Sequence, residues 1–566
     1  MFLNYIKVAL RNLLRSKVFS LINILGLAIS MSICLLVIKM IFGMYSCDRF
    51  HVNKERIYRI LTYEQQADRS GYELATTHEP LAGELEKLTD IERVVRIRKD
   101  FSGDVYYEGK VVPISGLMTD PVFFDVFSFE LQRGDPLTAL AEPYSIILTP
   151  EWASKLFGEK DPMGETISMK NLGDYKVTGI TQSITKLKTN LKFECLASAA
   201  TLPSLENKGI KSKAIGNWNN PYRTYTFIMI RKDTDIVSLE DKLQSIIETF
   251  VKEDDIFHEY RLQSLKKISP GKRLVNQMGE PTEPMMAYIL ILIAVILMLT
   301  ASFTYTTLSV ARAIDRAKEV GVRKVFGASR FHLFRQFIGE AVILSVISLN
   351  FAYVIFTFLE PGLYNLDYHI RNSFELAKTP FTIYLSFIVF TLILGCITGL
   401  APALYLSKFK PVEVFKDLSK IRLFSRANLR KMLIVFQFSI SLLMIFAIII
   451  SYKQVRFQQT VDYGYTMEDK IIIELQEMDF MVFKNDLIRI PAVEIVTASD
   501  YLPGTGVVHR NFVKSDNIPD SAVINHLAID PDFVGALNMT IAAGNDFREY
   551  PNSNLDNYAL INESAV

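Results

Sequence analysis

The sequence predicts an α-helical transmembrane bundle carrying α+β extracytoplasmic domains, and three observations lead there. Five apolar stretches, at about 19–44, 285–310, 337–359, 381–404 and 431–450, are long enough to cross a hydrocarbon core, which needs about 20 residues at helical rise. A segment of mixed helix and strand signals, residues 45–284, separates the first two stretches. Part of that segment recurs after the fifth stretch at a fixed distance along the chain.

Composition sets the frame. At 566 residues the chain exceeds one ordinary domain. Its 62 basic residues nearly cancel 61 acidic ones, which argues against a nucleic-acid partner, whose phosphates call for a strongly basic surface. Mean hydropathy is positive although charged residues are 22%, so the apolar residues must sit in blocks. The four cysteines have no metal-knuckle or disulfide-framework spacing. Cys34 and Cys396 lie in apolar runs, and a Cys47–Cys195 bridge stays open as an option if both face an oxidising compartment. The seven histidines form no HExxH-type cluster.

In residues 1–18, Ile6, Leu10, Leu13 and Leu14 share one helical stripe opposite basic residues. This reads either as an amphipathic helix along the inner leaflet or as a plain continuation of the first span. The first span exceeds the apolar core of a signal peptide and has no small-residue cleavage site, so it is read as a retained anchor. Lys39, near its outer end, is expected to snorkel to the interface. Orientation follows from basic residues in short loops. Lys7, Arg11, Arg15 and Lys17 precede the first span. Arg312, Arg316, Lys318, Arg323, Lys324, Arg330 and Arg335 fill the loop 311–336, and Lys408, Lys410, Lys416, Lys420, Arg422, Arg426 and Arg430 fill the linker 405–430. These three are predicted cytoplasmic. The domain 45–284, the short loop 360–380 and the domain 451–566 are then outside, in a multi-pass membrane protein.

The outer domain reads as α+β. Arg56–Thr62, Tyr144–Leu148 and Thr224–Ile230 carry strand patterns, and Leu81–Leu88, Pro150–Phe157 and Leu239–Phe250 carry helical periodicity. The segment from Asp120-Pro121 through Phe123, Phe127 and Phe129 to Gly134 recurs as Asp530-Pro531 through Phe533, Leu537 and Met539 to Gly544, both ends displaced by 410 residues. The chain therefore reads as one unit of span, outer domain and three spans, followed by the start of a second. The second outer domain is expected to be incomplete, as in a fragment or truncated form, with roughly 250 further residues needed to finish the repeat.

The loop 311–336 is built for contact. Helix formers from Asp315 to Phe326 set a basic face beside Val320, Val322 and Val325, and Gly327 is a stop signal. Such a helix can lay its apolar side into a partner's groove or rest on anionic lipid, and these residues alone do not choose.

Several segments resemble the FtsX-like permease family in its MacB-type, duplicated-unit branch. They are Leu10–Leu14, Asp48-Arg-Phe-His51 through Arg56-Ile-Tyr-Arg59, the run Ala317–Arg330 with its Glu319-Val-Gly321 and Gly327-Ala-Ser329, and Gly399–Ser407 with Lys410–Lys416. The resemblance implies MacB-like periplasmic core domains and a non-catalytic permease subunit of an ABC transporter. A separate ABC ATPase subunit would bind ATP and Mg, and its hydrolysis would be relayed to the periplasmic domains for efflux or extraction of substrate. It also implies a coupling helix that docks the ATPase through Lys318, Glu319, Val320, Gly321, Val322, Arg323, Lys324, Gly327, Ala328 and Ser329. Beyond the ATPase and the lipid membrane, it admits a periplasmic adaptor or outer-membrane channel as partner. No GxxxxGK[ST] phosphate loop occurs, in keeping with an ATPase on another chain, and no cofactor site is expected. An FtsX-like regulator of cell-wall hydrolases is the alternative. A membrane signalling receptor ranks below it, because every inner loop is too short for an output domain.

Overall fold

A computed structural model of the chain describes residues 11, 17–66, 71–251, 256–311, 320–366, 370–371, 374, 379–407, 424–475, 478–502, 509–513, 522–549 and 558–565. Most of the expected N-terminal helix, Lys318, Glu319 and most of the 405–430 linker fall outside them. The chain divides into two units, Met1–Ser441 and Leu442–Val566.

The first unit opens with helix α1 (Lys17–Tyr45) and enters the outer domain. There follow β1 (Ile57–Gln66), β2 (Gly71–Leu74), α2 (Leu81–Leu85), β3 (Ile91–Tyr107), β4 (Lys110–Thr119), α3 (Phe123–Val126), β5 (Leu131–Arg133), β6 (Ser145–Leu148) and α4 (Pro150–Phe157). Then come β7 (Thr166–Met169), β8 (Gly173–Thr181), β9 (Cys195–Ser198), α5 (Leu202–Asn207), β10 (Thr224–Ile230), α6 (Ile236–Phe250) and β11 (Ile256–Ser264). The eleven strands form one sheet in the order β11-β1-β10-β3-β4-β9-β6-β8-β5, with β2 on β1 and β7 bridging β3 and β8. Most neighbours are antiparallel, but β4–β9 and β6–β8 run parallel. The entering strand β1 lies antiparallel to the leaving strand β11, from Tyr58 opposite Ser264 to Gln66 opposite Ile256.

Local chemistry explains the elements. Every residue of β10 is buried, because both faces of this inner strand are covered. On one face α6 lays Leu239, Leu243 and Ile247, spaced one turn apart, against Ile60, Val94 and Ile228. Burying each such side chain contributes about 2 kcal/mol. The Asp235 side chain accepts the Val237 N–H and so caps α6. On the other face Phe123, Phe127 and Phe129 pack with Ile57, Val95 and Phe227. Helix α4 starts on Pro150 and stops at Gly158, whose φ of 62° suits a residue without Cβ.

The membrane-length helices are α1, α7 (Pro284–Ala311), α8 (Arg330–Tyr364), α9 (Phe381–Ser407) and α10 (Phe424–Thr460). Helix α8 packs along α1 and α9, and α7 along α1 and α9. In lipid, apolar side chains gain little by leaving the acyl chains for a neighbouring helix, so close backbone approach matters more. Gly395 and Gly399 of α9 supply it by resting on Val342 and Ala341 of α8.

Three expectations change here. Glu360 to Tyr364 continue α8 instead of opening the outer loop. Lys39 is not left to solvent: it is buried against the neighbouring helices and forms an ion pair with Glu360. The apolar neighbours of both side chains leave the partner's charge as the nearer stabiliser. Helix α10 begins at Phe424, inside the stretch read as a linker.

In the second unit α11 (Phe480–Leu487), β12 (His509–Val513), β13 (Ala522–His526) and α12 (Phe533–Ala536) are formed, with β12 and β13 antiparallel. Helix α12 repeats the geometry of α3. Phe123 N–H donates to Asp120 O at 3.1 Å and Phe533 N–H to Asp530 O at 3.0 Å. Phe127 N–H donates to Phe123 O and Leu537 N–H to Phe533 O. Gly134 and Gly544 share the left-handed conformation, at φ 98° and 88°. Each leading aspartate also holds a cation, Arg96 on Asp120 and Lys484 on Asp530.

Candidate functional site

The turn between α7 and α8 folds as a tight capped tip. Residues 320–325 are helical. Ala328 N–H donates to Arg323 O and Gly327 N–H to Lys324 O, the paired bonds of a Schellman stop, with Gly327 at φ 89° in the required left-handed position. Two residues on, the Ser329 side chain accepts the His332 N–H and starts α8. The stop signal at Gly327 and the cap at Ser329 thus join two helices within a few residues.

The tip is braced from below. Arg323 Nη1 donates to Gln336 Oε1 at 2.6 Å, and Lys324 Nζ to the Ser407 carbonyl at 2.6 Å, which ties the tip to α8 and to the end of α9. Burial, with Arg330 nearby, pulls the Lys324 ammonium below its ordinary range. The three valines do not form one face. Val320 is buried with Leu333, Phe337 and Ala403, and Gly321 is buried beside it. Val322 and Val325 point away from the bundle with Phe326 and Phe331, at 43, 65, 86 and 63% exposure. The helical period divides the apolar residues between an anchor and an outward patch. Of the expected docking residues, Val320, Gly321, Arg323 and Lys324 hold the tip in place, Gly327, Ala328 and Ser329 shape it, and Val322 is presented outward.

A second constellation joins α1 to the outer domain. Asp48 is buried with φ 54°, and its N–H donates to Lys188 O. Its carboxylate accepts from the Thr189 hydroxyl at 2.5 Å and from Asn190 Nδ2 at 3.0 Å, with the Asn190 N–H at 3.3 Å. His51 Nε2 lies 3.8 Å from Asp48 Oδ1, while His51 Nδ1 accepts the Ser128 N–H at 3.0 Å. The Ser128 hydroxyl in turn accepts the Val52 N–H at 2.9 Å. The chain leaving α1 is thereby fastened to the end of α3 and to the loop before β9. That loop also meets the chain returning to α7: a Cβ on Gly279 would stand 2.8 Å from the Asn190 carbonyl. Cys47 and Cys195 are free buried thiols, both pushed up by burial. Sequence reasoning singled out Asp48-Arg-Phe-His51 only as a pattern, since its partners lie about 140 residues away.

A set of membrane-length helices with an α+β domain inserted after the first, and a capped apolar tip between the second and third, defines a membrane protein that carries its main domain outside the bundle. Residues 20–246 match the MacB-like periplasmic core domain, and residues 291–411 the C-terminal part of FtsX-like permeases. The chain belongs to the ABC transporter permeases of the MacB/FtsX type.

Its relatives are distant. The macrolide export ATP-binding/permease protein MacB of Bdellovibrio bacteriovorus is 22% identical over 313 residues, which is 52% of this chain and 41% of that protein. MacB of Shewanella sp. is 23% identical over 326 residues, 56% of this chain and 45% of that one. The ABC transporter permease YknZ of Bacillus subtilis is 21% identical over 432 residues, 73% of this chain and 99% of its own. The chain thus spans less than half the length of the MacB relatives. Among solved structures, a permease-protein domain from Porphyromonas gingivalis aligns with a TM-score of 0.33 at 17% identity, over 43% of this chain and 99% of that one. The periplasmic region of MacB from Actinobacillus actinomycetemcomitans aligns with a TM-score of 0.26 at 16% identity, over 36% and 87%.

Proposed function

We propose that this chain is the permease subunit that relays ATP hydrolysis by a separate ABC ATPase to its outer domains, driving efflux or extraction of substrate at a bacterial inner membrane. The observation that carries the reading is the tip. Val325 and Phe326 are held outward on a turn whose own anchor, Val320, is buried in the bundle. An apolar patch kept rigid and exposed beyond the end of a membrane helix fits a partner's groove better than water. The excess of Lys and Arg in the sequence of loop 311–336 supports a cytoplasmic tip, and this reading assigns ATP and Mg to the ATPase and adds Lys318 and Glu319 to the contact.

The test is co-purification of the partner ATPase with Val325→Asp and Phe326→Asp variants. Both should reach the membrane as well as the parent, because neither side chain packs in the bundle, and both should lose the ATPase. Gly327→Leu should lose it as well, since a side chain at that left-handed position strains the turn by about 1 kcal/mol and re-aims the patch. Retention of the ATPase by both aspartate variants at equal expression refutes docking through this tip.

A further inference from the structure

The bundle holds a charged pair that docking at the tip does not use. Lys39 lies within the last two turns of α1 and pairs with Glu360 near the far end of α8. Its ammonium also stands 5.9 Å from the centre of the Phe356 ring, one turn back along α8. Lys39 is buried and Glu360 partly so.

Stability alone does not account for such a pair. Stripping two charges of water takes back most of their attraction, and an apolar pair of similar volume would hold the helices as well or better. A charged pair adds axial direction. Away from the pair and Phe356, α1 and α8 bring only apolar side chains to their shared cluster, Leu27, Ala28, Met31 and Leu35 from one and Ala341, Leu344 and Ala352 from the other. Small and aliphatic residues in lipid give little preference for one register over the next, so a slide along the axis would replace each contact by a similar one. Lys39–Glu360 has no equivalent one turn away.

The location gives that register a use. Helix α8 begins at the Ser329 cap beside the tip and rises about 45 Å to Glu360. Lys39 stands nine positions before Asp48, where α1 is fastened to the outer domain. We propose that Lys39 and Glu360 form a register pin: positioning residues that oblige α1 to travel with α8, so that displacement at the tip reaches the Asp48 joint. The inference rests on the relay function proposed above.

Two measurements test it on Lys39→Glu, Glu360→Lys, the swapped double variant, and the apolar double Lys39→Met/Glu360→Leu. In the chain alone in detergent, each single reversal should lower the Tm and the swap should regain most of the loss. Additive losses in the swap would mean that the two charges do not interact, and would overturn the pin. In the complex with its ATPase, hydrogen exchange of the outer domain is compared with and without ATP. The single reversals and the apolar double should keep the ATPase but lose the ATP-dependent change at residues 48–66, and the swap should restore it. An apolar double that folds and responds like the parent overturns the pin while leaving the relay intact. A parent complex with no ATP-dependent change overturns the relay reading, and the pin's role with it.

Discussion

Asn190 Nδ2 donates to Asp48 Oδ2 at 3.0 Å, and through this bond the loop before β9 grips the chain just after it leaves α1. The grip is electrostatic and fully enclosed, since the Asp48 carboxylate takes its donors from Thr189 and Asn190 away from water. Buried donors left without an acceptor cost more than the bonds themselves contribute.

Asp48→Ala should therefore destabilise the outer domain by about 3 kcal/mol, with Asp48→Asn losing roughly half as much because one acceptor oxygen remains. Residue 48 is also left-handed, which asparagine and glycine tolerate better than alanine. Asp48→Gly separates the two causes: it relieves the backbone but removes the carboxylate, and it should stay within about 1 kcal/mol of the alanine variant. Denaturant unfolding followed by tryptophan fluorescence gives the ranking. Equal stability of Asp48→Ala and the parent would show that the joint is not held by this carboxylate.

The contact of α8 with α9 makes a second prediction. A Cβ on Gly395 would come 2.7 Å from the Val342 Cα, and one on Gly399 2.7 Å from the Ala341 Cβ. Gly395→Leu should push the helices apart at the cost of about 1–3 kcal/mol or more, while Gly26→Leu, on a face of α1 with nothing within 4 Å, should be tolerated. Thermal unfolding in detergent distinguishes them, and similar Tm values for the two would contradict the packing described.

His78 gives the outer domain a pH dependence. Burial, with the His258 ring nearby, pulls its imidazole down from 6.5 to about 3, and its Nδ1 is 2.6 Å from the Tyr260 hydroxyl. Between those two values the unfolded chain binds a proton that the folded domain refuses. Stability is therefore present above the ordinary histidine value and falls as pH drops toward 3, by about 1.4 kcal/mol per pH unit for one such group. His78→Gln keeps a polar partner for Tyr260 without the titration, so its stability should change less than the parent's between about pH 6 and about pH 4. Trp218, whose ring lies 5.9 Å from His78, reports unfolding by its fluorescence. Parallel pH profiles for the two proteins would place the acid sensitivity elsewhere.

Much of the molecule could be read before it was seen, for physical reasons that differ by element. The apolar runs give the membrane helices because lipid tolerates little else. Thr224–Ile230 and Pro150–Phe157 keep their expected bounds because a buried strand and a Pro-to-Gly helix write their limits locally. Long-range pairing is where local pattern gives out. Lys39 looked like a residue reaching for the interface because its partner is 321 positions away. The valines of the tip looked like one face because the burial of Val320 depends on Ala403, which only the packing of α9 brings near. The parallel pairing of β4 with β9 had no signal in either strand.

The antiparallel ladder of β1 and β11 also decides what kind of force the outer domain can bear. Tyr58 and Ser264 face each other at the end of the ladder from which both connections to the membrane helices depart. Hydrogen bonds across such a pair lie perpendicular to the strands. A splaying pull on the two connections would first meet the Asp48 joint and the buried return segment with Leu265, Ile268, Leu274 and Met278, and only past them would it unzip the ladder from Tyr58. A thrust along the strands would instead load every bond from Tyr58 to Gln66 together. The ladder is thus stiff toward a stroke directed along its strands, while spreading of the two roots is resisted by the loop that holds Asp48 and meets Gly279.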